Sequence, residues 1–146
     1  MGQMNNQEHE RYGMIRLFET YISALSRLME QDELLFTWRR NRVAVSHRLA
    51  HHLNGGLSDL FFPSQRKRIV VDMGAAVLEE ARALIPDILV HDRDPSDPHR
   101  LMAIVCREGY LTEEELWALH ELKVTGSCEL TLAMAFLPQK DYMLIY

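Results

Sequence analysis

The stretch IPDILVHDRDPSDPHRLMAIVCRE, residues 85–108, decides how this chain folds. It holds two short apolar runs, 85–91 and 100–106, both rich in Ile, Val and Leu. Side chains of this kind suit a pleated, half-buried surface. Between them lies DRDPSDPH, crowded with residues that favour turns: proline presets φ, and aspartate and serine bond their own backbone. An antiparallel hairpin is therefore predicted, with its turn near Ser96.

Working outward, RIVVD at 68–72 is a third predicted strand. Downstream, Thr112 and Glu115 have capping-box spacing, and Glu113 and Glu114 suit the positive end of a helix running to about Lys123. Thr125-Gly126-Ser127 ends it, and the runs at 128–137 and 142–146 are the last two predicted strands. Towards the N-terminus, residues 12–30 place Met14, Phe18, Tyr21, Leu25 and Leu28 at alternating spacings of four and three, an apolar helix seam. The apolar patch ELLFTW (33–38) follows. A second helix is expected over 42–53, with Val45, Leu49 and Leu53 on one stripe and Asn54-Gly55-Gly56 as its stop. Helices flanking a mixed sheet make an α/β domain over 41–146, preceded by a helical extension over 1–40.

Bulk properties agree with one ordinary globular domain. The chain has 146 residues, 47% hydrophobic and 25% charged. Such a length buries roughly 70% of the unfolded surface, enough for a core without staples. Cys106 and Cys128 each sit in an apolar run without metal-like spacing, so buried free thiols in a reducing cytoplasm are expected. No run approaches the ~18 apolar residues of a membrane span, and the polar, acidic first ten residues do not read as a signal peptide. The formal charge of −5 disfavours gripping nucleic acid by general positive charge. Arg39, Arg40, Arg42 and Arg48, and the run Arg66-Lys67-Arg68, leave local basic patches open.

Three segments in order carry a resemblance: NRVAVSHRLA at 41–50, then IPDILVHDRD and RLMAIVCRE. Together with the order of elements they resemble small bacterial PD-(D/E)XK nucleases of the restriction-endonuclease-like fold. The resemblance implies a mixed sheet flanked by helices and a Mg²⁺ site. In that site an aspartate of the first hairpin strand and an acidic residue of the second share the metal, with oxygen ligands throughout. A lysine supports the nucleophile and the developing charge. A turn centred near Ser96 sets Asp87 opposite Val105, with Arg107 next along the same face. Asp87 thus takes the metal-binding position.

Its partners depart from the pattern. Val105 stands at the acidic position and offers no lone pair. Arg107 replaces the lysine with a planar, permanently charged group of different reach. Arg42 stands where relatives often carry a glutamate, and Gly74, near Asp72, supplies no carboxylate. Glu108 is a candidate displaced ligand, although strand alternation points it to the other face from Val105; Glu79 and Glu80 are further candidates. His47, Arg48 and His91 are binding candidates alongside Arg42. For the histidines, including His51 and His52, packing and hydrogen bonding are set against a zinc or acid–base role, since a pair alone underfills a zinc shell.

Three functions follow from these residues. The leading one is a nuclease-like protein without catalysis, kept as a binding or regulatory module in a bacterial nucleic-acid-related pathway and needing no cofactor. The second is an active Mg²⁺-dependent DNA endonuclease with migrated ligands. The third is an assembly subunit that meets a protein partner or a second copy through the helix at 12–30.

Overall fold

The computed structural model describes residues 6–57, 61–62, 67–79, 82–96, 98–125, 127–136 and 143–145. Helix α1 spans Asn6–Gln31, a short 3₁₀ helix Glu33–Thr37, and α2 Arg42–Leu57. The strands are β1 (Phe61–Phe62), β2 (Lys67–Arg68), β3 (Val70–Met73), β4 (Val77–Glu79), β5 (Arg82–Leu84), β6 (Ile88–His91) and β7 (Arg100–Glu108). Helix α3 (Glu113–Val124) and strands β8 (Leu130–Phe136) and β9 (Met143–Ile145) complete the order.

Five strands form one mixed sheet in the order β3-β6-β7-β8-β9, and β1-β2 and β4-β5 are separate two-stranded pairs. The predicted hairpin is present: β6 and β7 pair antiparallel, with Ile88 opposite Ile104 and a register shift at Val90/His91. Strand β8 runs parallel to β7, with α3 making the crossover. Thr112 and Glu115 form the reciprocal capping box that starts α3.

Side-chain alternation divides the interior in two. Met102, Ile104 and Cys106 of β7 join Leu132, Met134 and Phe136 of β8 in a core covered by α1 and α2. Ala103 and Val105, with Ala133 and Ala135, face the other way towards α3 and its Leu119 and Leu122. Helix α1, set apart above as an extension, contributes Leu17, Tyr21, Leu25 and Leu28 to the same core as the sheet. The structure is thus a mixed α/β sandwich with helices on both sheet faces, and no helix among the described residues is long and apolar enough to cross a membrane.

Two local expectations fail. The seam of α1 is rotated from the expected one. Leu17 and Ala24 are buried with Tyr21, Leu25 and Leu28, whereas Met14 and Phe18 are 37% and 41% exposed. The helix packs against α2 along one stripe, and Met14 and Phe18 lie on its flank with Ile15, Ile22 and Met29. Helix α2 does not stop at Asn54-Gly55-Gly56 but runs through to Leu57. A Cβ on Gly56 would come within 3.0 Å of the Thr20 Cγ2 methyl, so the glycine serves the close approach of two helices rather than a helix end.

Candidate functional site

The end of the sheet where β6 begins and β7 finishes gathers the residues singled out from the sequence. Asp87 lies one position beyond the β6 ladder, so continuing the Ile88–Ile104 register sets it opposite Val105, as expected. Its backbone carbonyl accepts a hydrogen bond from Gly74 N–H at 3.4 Å, which ties it to the end of β3. Beyond the ladder it also meets the first turn of α2, and this decides its chemistry.

Arg42, the first residue of α2, donates from Nε to Asp87 Oδ1 at 2.9 Å and from Nη2 to Oδ2 at 3.0 Å. This is the two-pronged fit of a planar guanidinium to a carboxylate. Oδ2 also accepts the Cys106 backbone N–H at 2.7 Å. Both carboxylate oxygens are therefore engaged in a setting where the side chains are only 34% and 16% exposed. The Asp87 hydrogen bonds raise the pKa of Arg42 above its ordinary value, with burial opposing them and the Glu115 carboxylate adding to them. The cation is held firmly in its charged form.

Val105 is 2% exposed and packs with Leu111, Leu119, Ala133 and Ala135 beneath α3. It belongs to the core, where an unpaired carboxylate would be costly. Arg107 does not reach Asp87's carboxylate but donates through Nε and Nη2 to Glu115 of α3. The other oxygen of Glu115 accepts from the Thr112 N–H and hydroxyl at 3.1 Å each. Burial alone would raise the Glu115 pKa; Arg107 and Thr112 outweigh it and hold the carboxyl below its usual range. Two arginines and two acids thus neutralise one another in pairs.

Glu108, the candidate displaced ligand, ends β7 three positions beyond Val105. It is exposed and accepts the Arg40 backbone N–H at 3.2 Å, on the face away from Val105. Glu80 and the side chain of Glu79 lie outside the described residues. Beneath the site, the Cys106 thiol is pushed up to about 12 by burial, an unreactive buried thiol. Both cysteines are free and buried, as expected.

The remaining binding candidates are spread over the molecule. Arg48 and His52 both hold Asp32, at 3.0 and 2.8 Å, fastening the end of α1 to α2. Burial pushes the Asp32 pKa up, and the bonds from His52 and Arg48 more than offset it, leaving it lowered. His91 meets Asp72 at 2.7 Å, and Arg93 donates to the same carboxylate. His47 and His51 are exposed. Hydrogen bonding thus accounts for His52 and His91, His51 meets the His52 ring edge-on, and His47 is left without such a contact among the described residues. The sequence reading did not foresee the partners Arg42–Asp87, Arg107–Glu115 and Arg48–Asp32. An arginine opening α2 and a lone aspartate just before β6 are the signal that could have pointed to the first.

No protein-family model, curated protein or solved structure matches the chain.

Proposed function

We propose that this chain is a nuclease-like protein that has given up phosphodiester cleavage and serves as a binding or regulatory module in a bacterial nucleic-acid-related pathway. The observation that carries the reading is the Arg42–Asp87 pair. A hard divalent ion needs several anionic or carbonyl oxygens. Here the one carboxylate in the expected position is taken up by a guanidinium, and its neighbour across the hairpin is the core residue Val105. Arg42 supplies in place the positive charge that a metal would bring, but it can neither ionise water nor offer open coordination positions. The paired charges make the constellation a structural lock on α2, β7 and α3.

A second reading, assembly with a protein partner or another copy, is favoured by the exposed flank of α1. Ile15, Phe18, Ile22 and Met29 lie there at three–four–seven spacing.

The test is a cleavage assay of the native chain with Mg²⁺ or Mn²⁺ on single-stranded, duplex and supercoiled DNA and on RNA, with Asp87→Ala in parallel. No cleavage above the variant's background is expected. Cleavage that disappears in Asp87→Ala would establish the endonuclease reading instead.

A further inference from the structure

The outer face of α2 carries a pair of histidines one turn apart, turned away from the stripe of Val45, Leu49 and Leu53 that anchors the helix in the core. His47 and His51 are both exposed, and neither side chain makes a hydrogen bond or an ion pair with the described residues. Residues four apart on a helix have Cβ atoms about 5–6 Å apart on one face. Two imidazoles so placed can converge on one ion with metal–nitrogen distances of about 2.0–2.1 Å.

Beside the pair, α2 carries one charged side chain, Arg48. Ala44, Asn54 and Gly55 flank the pair along this face and carry no charge. Arg48, next to His47, has its guanidinium committed to Asp32 at 3.0 Å. The His51 ring stands edge-on to the His52 ring, with centroids 5.3 Å apart. His52 in turn is fixed at 2.8 Å to Asp32, so the ring that His51 meets is itself held in place.

We propose that His47 and His51 form a two-nitrogen chelate for a borderline transition-metal dication, Cu²⁺ ahead of Ni²⁺ and Zn²⁺. Imidazole donors suit these ions, and affinity follows their general order at nitrogen sites. Mg²⁺, which prefers oxygen, is not a ligand here. Two protein donors leave the other coordination positions to water, so the ion is held reversibly and open to a further ligand. The inference does not depend on the nuclease-like reading, because it uses a different face and different donors from Asp87.

Titration calorimetry of the full chain with CuCl₂, NiCl₂ and MgCl₂ tests it, with electron paramagnetic resonance on the copper form. One Cu²⁺ per chain is expected, with weaker Ni²⁺ binding, no Mg²⁺ binding and hyperfine coupling to two imidazole nitrogens. His47→Gln and His51→Gln should each weaken Cu²⁺ binding by about tenfold or more, since losing even an outer-shell partner costs roughly that much. Both positions are exposed, so the variants should keep the native melting temperature, while His99→Gln, in the β6–β7 connection, should keep the native affinity. A His47→Gln/His51→Gln double variant that binds Cu²⁺ with native affinity and stoichiometry overturns the proposal, as does a native chain that takes up no Cu²⁺.

Discussion

Arg42 and Asp87, 45 positions apart in sequence, are joined by two parallel hydrogen bonds of 2.9 and 3.0 Å across the end of the sheet. The bond ties the start of α2 to the start of β6, and it engages both oxygens of the Asp87 carboxylate.

Removing either partner strands the other in a half-buried setting. Arg42→Ala should lower stability by about 1–3 kcal/mol, the range for leaving a buried polar group unsatisfied. The cycle Arg42→Ala, Asp87→Ala and the double variant, followed by urea unfolding, should give a coupling above about 1 kcal/mol. An exposed, dispensable pair would give about 0.2–1 kcal/mol, and a coupling near zero would remove this pair from the account of the fold.

Asp72 offers a pH test. Arg93's hydrogen bond, with help from His91, lowers its pKa from 3.8 to about 2 despite opposing burial. A carboxyl lowered on folding stabilises the native state above pH 3.8, and that contribution fades as pH falls towards about 2. Asp72→Asn should therefore lower the urea midpoint at pH 6 and flatten its decline through the acid range. An acid limb that keeps its native slope in the variant would show that Asp72 does not drive it.

The rotated seam of α1 is testable by paired truncations. Leu28 is fully buried and Phe18 lies on the flank. Leu28→Ala should cost about 2–5 kcal/mol, as core truncations do. Phe18→Ala should cost much less in the monomer and instead change the oligomeric mass if the flank holds a partner copy. Equal losses of stability from both would restore the seam read from spacing alone.

Much of the sheet was legible because its signals are local. Ile88–Val90 and Leu101–Cys106 carry their strand preference in their side chains, and the Asp/Pro/Ser turn sets the register that places Asp87 opposite Val105. Thr112 and Glu115 announced α3, but Glu115's second task, holding Arg107, depends on a contact between α3 and β7 that no local pattern encodes. Spacing misjudged α1, because Met14 and Phe18 satisfy the helical period as well as Leu17 and Ala24 do. Which stripe is buried is decided by the surface of α2 and β8. Gly56 was misread for a related reason, since a glycine needed for helix contact looks in sequence like one needed for a helix end.

Held by Arg42, the carboxylate of Asp87 should be unavailable to a divalent ion. Paramagnetic broadening by Mn²⁺ in ¹⁵N-resolved spectra tests it most directly, read at the Cys106 amide that donates to Asp87 at 2.7 Å. In the native chain this amide should stay sharp through the titration, whereas Arg42→Glu, which removes the guanidinium and adds an oxygen ligand, should make it broaden. Broadening of the Cys106 amide in the native chain at Mn²⁺ concentrations that leave the amides of β8 untouched would contradict the account.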